Sequence, residues 1–122
     1  MEKVDGIGGV FFRAKDPKAL AAWYETHLGI GPVPDDPGQG PWVQASGPTI
    51  FAPFAADTDY FGRDDQQWML NFRVRDLAAM IAQLENAGIE IGRRDDMAGV
   101  GSFARIHDPE GNPIELWQPV ST

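Results

Sequence analysis

The stretch VFFRAKDPKALAAWYE at residues 10–25 is repeated by LNFRVRDLAAMIAQLE at residues 70–85. The two stretches align without a gap at a shift of 60 residues, which is about half of the 122-residue chain. Six positions are identical in the alignment: Phe12 and Phe72, Arg13 and Arg73, Asp16 and Asp76, Ala19 and Ala79, Ala22 and Ala82, and Glu25 and Glu85. An internal repeat of this kind predicts two similar modules in one chain.

Each copy of the repeat is predicted to form a strand followed by a helix. Apolar residues alternate at the start of each copy, and a period of two is typical of a strand. Asp16 and Asp76 follow, where an aspartate side chain can accept the free N–H groups of a first helical turn. Gly29 and Gly88 come after apolar residues at helical spacing and are expected to end the helices.

Short strand-like runs after each helix complete the two modules. They cover residues 30–33, 42–45 and 49–52 in the first module, and residues 89–93, 102–107 and 114–118 in the second. Gly and Pro clusters separate the runs. The sequence therefore predicts an α+β fold with two pseudo-symmetric β-α-β-β-β modules in a single domain over residues 1–122. Module one covers about 7–54, a linker about 55–66, and module two about 67–119.

Composition and charge disfavour several classes of function. The chain has no cysteine, so it has neither a disulfide framework nor a thiolate metal site. Its net charge of −8 disfavours nucleic acids and anionic membranes as partners, since both require clustered Lys and Arg. The apolar runs are too short to span a bilayer and the N-terminus lacks the apolar core of a signal peptide, so we expect a cytoplasmic protein.

A helix covers only one face of its sheet, so the other face of the two repeated strands is free to line a cleft. The residues of that parity are Gly9, Phe11 and Arg13 in the first module, and Met69, Asn71 and Arg73 in the second. This mixture of apolar, amide and guanidinium side chains is more typical of a ligand-binding surface than of a sealed core.

Four segments of the chain resemble the glyoxalase/bleomycin-resistance/dioxygenase group, also called the vicinal-oxygen-chelate superfamily. They are Phe11–Pro17, Trp23–Gly29, Phe72–Leu77 and, most specifically, the final hairpin DPEGNPIELWQP at Asp108–Pro119. The resemblance implies that the two modules form a curled, mixed sheet around one cleft. It implies no particular substrate, since the group includes isomerases, ring-cleaving dioxygenases, thiol transferases and drug-sequestering proteins.

In metal-using members of this group, side chains from the first and last strands of both modules hold the metal. The matching positions here are Gly9, Ile50, Met69 and Glu115, of which only Glu115 can ligate a metal ion. One carboxylate is insufficient for a divalent transition metal, which requires at least three converging protein ligands. We therefore expect no complete metal site and no cofactor.

Glu115 is the central candidate for chemistry, either as a general base or as one half of a structural ion pair. A symmetric turn at residues 108–112 would place Arg105 opposite Glu115 on neighbouring strands, and an Arg–carboxylate pair there favours the structural role. His107 shares the parity of Arg105 and is either an acid or base near neutral pH or a polar residue that flanks the turn.

The remaining candidates predict a ligand with an anionic group and an apolar body. Arg13 and Arg73 occupy matched positions, where they could hold a carboxylate or phosphate or form salt bridges at the rim. Tyr60 lies in the run 55–67, which could fold over the cleft as a lid or act as a plain linker. The other expected ligand contacts are Phe11, Met69, Asn71, Arg105 and Trp117.

The amino-acid sequence is compatible with three functions. The first is a metal-independent, glyoxalase-like protein that binds a small molecule and either sequesters it or catalyses a lyase or isomerase step at Glu115. The second is a metal-dependent lyase or dioxygenase with atypical ligands such as His107 and Glu115. The third is a non-catalytic structural or regulatory module.

The two predicted β-α-β-β-β modules would leave unpaired sheet edges, which predicts a homodimer.

Overall fold

The computed structural model describes residues 1–33 and 38–121, so residues 34–37 of predicted module one and residue 122 lie outside the described part. Two helices and four strands follow along the chain: α1 at Pro17–Leu28, β1 at Leu70–Arg73, α2 at Leu77–Asn86, β2 at Arg94–Met97, β3 at Gly101–His107 and β4 at Pro113–Pro119. The fold class is α+β, as predicted. Neither helix in this part of the chain has the length and apolarity needed to cross a membrane.

The repeated aspartates begin both helices, as their positions predict. The Asp16 carboxylate accepts the backbone N–H of Ala19 at 3.1 Å. The Asp76 carboxylate accepts the backbone N–H of Ala79 at 3.0 Å. Each bond satisfies one of the N–H groups that a helix leaves free in its first turn. Gly29 ends α1 in the left-handed conformation with φ of 70°, which a residue without Cβ adopts readily.

The second half of the chain forms one β-α-β-β-β unit. Its strands lie in the order β1-β4-β3-β2, with β1 parallel to β4 and the other neighbours antiparallel. β2 begins at Arg94, just beyond the predicted run at 89–93, and residues 92 and 93 already exchange backbone hydrogen bonds with Arg105 of β3. The polar sequence of β2 has low strand propensity, so pairing with β3 determines where this strand lies.

The first half of the chain differs from the prediction, since α1 is the one regular element among residues 1–33 and 38–54. No strand forms at 10–14, 30–33, 42–45 or 49–52. A strand requires hydrogen-bonded neighbours, and without them Phe11, Val43 and Phe51 are 95%, 83% and 85% exposed. The described sheet has four strands and is open, where the resemblance implied a curled sheet built from both modules.

One hydrophobic core joins α1 to the second half of the chain. Its buried residues come from both helices and from β3 and β4: Leu20, Tyr24, Leu77, Ile81, Leu84, Ala104, Ile106, Ile114 and Leu116. Alternate residues of β3 and β4 face this core, because side chains along a strand point to opposite faces. The remaining residues of these strands point to the opposite face of the sheet.

The turn between β3 and β4 is hydrogen-bonded to α1 and to the segment before it. The buried Asp108 carboxylate accepts the Tyr24 hydroxyl at 2.6 Å and the Asn112 side-chain amide at 2.8 Å. The Glu110 carboxylate accepts the backbone N–H groups of residues 15 and 16, at 2.7 and 3.0 Å. The signature sequence of this turn is thus a structural junction between the two halves of the chain.

Candidate functional site

Six residues of β1, β3 and β4 lie on the face of the sheet that points away from the core, here called the open face. They are Asn71 and Arg73 on β1, Phe103 and Arg105 on β3, and Glu115 and Trp117 on β4. The strand register pairs them in two rows, Asn71–Glu115–Arg105 and Arg73–Trp117–Phe103. Their sequence neighbours Ala104 and Leu116 belong to the core, so the pleat directs the six residues the other way. The pairing of Arg105 with Glu115 confirms the predicted register of the final hairpin.

Glu115 lies at the centre of the open face and is only 9% exposed. One carboxylate oxygen accepts a hydrogen bond from the Asn71 side-chain amide at 2.7 Å. The other oxygen accepts a hydrogen bond from the Tyr60 hydroxyl. A buried carboxylate requires such donors because burial removes the water that would otherwise solvate it.

Tyr60 brings the predicted linker onto the open face. Its backbone carbonyl accepts a hydrogen bond from Arg105 Nη2 at 2.9 Å. Two guanidinium groups face its ring, with the Cζ atoms of Arg105 and Arg93 at 4.9 and 5.7 Å from the ring centroid. The Phe54 ring stacks on it with the centroids 5.7 Å apart. Burial, together with the hydrogen bond to Glu115, raises the pKa of Tyr60, so the phenol remains a proton donor at neutral pH.

Arg105 does not form the expected ion pair with Glu115, although the two residues are opposite each other in the register. Its guanidinium faces the Tyr60 ring and donates to the Tyr60 carbonyl. The Tyr60 hydroxyl and the Asn71 amide satisfy the Glu115 carboxylate in its place. Arg105 Nε is buried and has no hydrogen-bond partner. A buried donor without an acceptor is costly in free energy.

The two arginines that match in the repeat have different surroundings. Arg73 donates from Nη2 to the Ala45 carbonyl at 2.9 Å, which ties the loop after residue 43 to the edge of the sheet. Arg13 is exposed and makes no hydrogen bond or ion pair among residues 1–33 and 38–121. Arg73 therefore belongs to the open face, whereas Arg13 is outside it.

Trp117 and Phe103 form an aromatic pair next to Glu115. Their rings are stacked, with an interplanar angle of 2° and centroids 6.0 Å apart. Trp117 Nε1 donates to the Val100 carbonyl at 3.1 Å, which fixes the indole ring in this orientation. The pair supplies an apolar wall beside the polar row of the open face.

The other predicted site residues are not part of this arrangement. Phe11 is 95% exposed and makes no ring contact within the described chain. His107 is exposed at the end of β3, opposite Pro113. Met69 lines a groove of about 340 Å³ together with linker residues, and a second groove of about 230 Å³ lies between α2 and β2. Glu115 lines neither groove, because the Tyr60 side chain covers it.

The four positions that hold a metal in related proteins do not suit one here. Gly9, Ile50 and Met69 have no side-chain oxygen or nitrogen. The fourth, Glu115, already has a hydrogen-bond donor on each oxygen. Across the described ranges, no three His, Asp or Glu side chains converge as a metal site requires.

The candidates expected from the sequence do not include three residues of this arrangement, Phe54, Arg93 and Phe103. Phe103 shares the parity of Arg105 on β3, so the alternation along that strand was a usable signal. Arg93 directly precedes β2, and the polar sequence of β2 does not predict a strand at this position. The contact between Tyr60 and Glu115 has no signal in the sequence, because 55 residues separate them.

A family model described as a glyoxalase-like domain matches residues 9–117. The match includes the repeat, the linker and the final hairpin as far as Trp117. A search of curated proteins finds no match to the chain.

Solved structures provide further comparisons. An antibiotic-binding protein, TnmS3, from Streptomyces sp. CB03234 is 28% identical, with 87% of this chain and 88% of that chain covered and a TM-score of 0.57. A protein from the mobile metagenome of V. Pseudocholerae is 22% identical over 99% of both chains, with a TM-score of 0.66. A lactoylglutathione lyase from Agrobacterium tumefaciens is 19% identical over 96% of both chains, with a TM-score of 0.63. The last two are similarities of fold alone.

Proposed function

Because the chain belongs to the glyoxalase-like domain family, we propose that it binds a compact small molecule on the open face without using a metal. The observation that carries this proposal is the buried Glu115 carboxylate at the centre of a sheet face. A buried carboxylate stabilises a protein less well than an apolar residue of similar size, so its presence there favours a role in binding. The antibiotic-binding neighbour at 28% identity supports the same role.

The proposed ligand carries an anionic or acceptor oxygen and an apolar body. Arg105 Nε supplies a donor without a partner for the oxygen. Arg73 lies in the neighbouring row and adds positive charge in a chain whose net charge is −8. The half-buried Phe103 ring, which stacks on the buried Trp117 ring, provides apolar surface for the apolar body.

A metal-independent proton transfer is a second candidate, and the hydrogen bond between Tyr60 and Glu115 favours it. A carboxylate base can remove a proton from a carbon atom beside a carbonyl group, and a protonated phenol can deliver a proton to oxygen. Together, Glu115 and Tyr60 would support a lyase or isomerase step in which the substrate lies between them.

Thermal unfolding with a panel of aromatic and short-chain carboxylates tests the binding proposal. A ligand at about 100 times its Kd adds about 2.7 kcal/mol of stability, which raises the Tm by several degrees. We expect such a shift from a carboxylate with an aromatic body, and we expect it to persist in the presence of a chelator.

Matched variants locate the site within this experiment. Arg105→Lys keeps the charge but removes Nε and the planar guanidinium, so it is expected to reduce the shift strongly. Arg94→Lys is the control, because Arg94 pairs with Ala104 and lies on the other face of the sheet. The absence of a shift with every carboxylate of the panel, or a shift that Arg105→Lys and Arg94→Lys change equally, would contradict the proposal.

A further inference from the structure

We propose that the ligand of the open face contains a hydroxylated aromatic ring and that the Tyr60 side chain occupies the position of this ring in the unliganded chain. The inference rests on the proposed function, since it names the ligand class of the same site. Tyr60 comes from the linker and makes, within one chain, the set of contacts that a bound ligand would make: a hydroxyl on Glu115, a ring facing Arg105, and a stacked Phe54.

The contacts of Tyr60 define an aromatic ring rather than any apolar group. A guanidinium is attracted to the electron-rich face of a ring, and the Arg105 and Arg93 Cζ atoms are 4.9 and 5.7 Å from the ring centroid. The stacked Phe54 ring, with its centroid 5.7 Å away, also favours a planar partner. An aliphatic ligand of the same size would lose both interactions.

The charge of Glu115 defines the polar group on that ring. Both carboxylate oxygens accept hydrogen bonds, so a ligand that replaces Tyr60 must present a donor there, and an anionic oxygen would be repelled. The acceptor or anionic group of the ligand is then directed to Arg105 Nε, which is buried without a partner. The ligand therefore has a ring hydroxyl for Glu115 and a separate acceptor group for Arg105.

The Tyr60 side chain can leave this position without unfolding the linker. Short-range hydrogen bonds hold the linker in its own turns, from the N–H groups of residues 58, 62 and 66 to the carbonyl oxygens of residues 55, 59 and 63. Arg105 Nη2 binds the backbone carbonyl of Tyr60, so it retains the linker even when the side chain rotates away. Displacement by a ligand thus costs the side-chain contacts alone.

Isothermal titration with 3-hydroxybenzoate, 4-hydroxybenzoate and benzoate tests the inference. We expect at least one hydroxybenzoate to bind the wild-type protein about tenfold more tightly than benzoate, because only it can donate to Glu115. In Tyr60→Ala, the same hydroxybenzoate is expected to bind roughly tenfold more tightly than in wild type, since the competing side chain is gone.

The second tyrosine of the chain provides a matched control. Tyr24 also donates its hydroxyl to a buried carboxylate, but it does so on the core side of the sheet. Tyr24→Phe is therefore expected to leave the affinity for hydroxybenzoate unchanged. Tyr60→Phe, which keeps the ring and removes only the hydroxyl, is expected to increase that affinity a few-fold and serves as the test if Tyr60→Ala does not fold.

The outcomes separate this inference from the proposed function. Equal binding of benzoate and both hydroxybenzoates, or affinities that neither Tyr60 variant increases, would overturn the hydroxylated-ring assignment and leave the binding function intact. If no carboxylate binds wild type or either Tyr60 variant, the proposed function fails together with the inference.

Discussion

Both tyrosines of the chain donate their hydroxyl to a buried carboxylate, and the two pairs lie in different surroundings. Tyr24 binds Asp108 at 2.6 Å and ties α1 to the final turn. Tyr60 binds Glu115 and ties the linker to the open face. The first pair lies in the core, where nothing can replace the phenol, whereas the second lies on the proposed ligand-binding face. We therefore assign the first pair to stability and propose the second for function.

Tyr24→Phe is expected to lower the free energy of unfolding by about 1–3 kcal/mol at neutral pH, the typical cost of leaving a buried partner unsatisfied. Burial, followed by the hydrogen bond to Asp108, raises the pKa of Tyr24. A folded-state pKa above the unfolded value of about 10 means that this stability is present below pH 10 and is lost as the pH rises further.

Urea unfolding at neutral pH and at several values above pH 10 measures both effects. The wild type is expected to lose stability more steeply than Tyr24→Phe in the alkaline range. Tyr60→Phe is the matched control, because it removes the other phenol with a raised pKa. Parallel alkaline slopes for wild type and Tyr24→Phe would show that the Tyr24 phenol does not titrate as described.

At the level of elements, the repeat specifies how both helices begin. Asp16 and Asp76 each accept an N–H group three residues ahead, at 3.1 and 3.0 Å. The surroundings differ, since Glu110 also holds the backbone N–H of Asp16 from across the fold. The first helix start is therefore joined to the final turn, whereas the second is joined to β4, where the Gln118 side chain accepts the backbone N–H of Leu77 at 2.8 Å.

Replacing either cap by alanine is expected to cost about 1 kcal/mol in the free energy of unfolding. Asp16→Asn and Asp76→Asn are the controls, because asparagine also accepts the capping hydrogen bond and should keep most of the stability. Chemical denaturation of the four variants provides the comparison. An alanine variant as stable as its asparagine counterpart would mean that the side-chain bond does not stabilise that helix.

At the scale of the whole molecule, the first half of the chain leaves apolar residues uncovered. Phe11, Val43 and Phe51 are each more than 80% exposed, and β1 has a strand neighbour on one side only. Exposed apolar residues beside a free sheet edge favour association with another chain. A second copy of this chain carries the same residues, so a symmetric homodimer would cover them in both copies.

Sedimentation is expected to give twice the mass of one chain at micromolar concentration. Phe51→Glu should shift the equilibrium towards the monomer, since it places a charge in the proposed interface. Gln83→Glu adds the same charge on the exposed surface of α2 and should leave the dimer intact. A monomer at high concentration, or equal effects of the two substitutions, would contradict the dimer.

Features that depend on local periodicity and on short-range hydrogen bonds are predictable from the amino-acid sequence. The two helices, the aspartates that cap them and the register of the final hairpin follow from residues close together in the chain. Side-chain alternation on β4 also placed Glu115 and Trp117 on one face, opposite the core residues Ile114 and Leu116. Such patterns are readable because their geometric periods are constant.

The contacts between side chains from distant segments depend on how the whole chain folds. The sequence favoured Arg105 as the partner of Glu115, but Tyr60 takes that position, because the linker folds back over 55 residues to reach the sheet. Strand formation in the first half also depended on neighbours that the described chain does not supply, whereas polar β2 became a strand because β3 pairs with it. Contacts between distant segments depend on the packing of the whole chain, and local propensity is too weak to determine them.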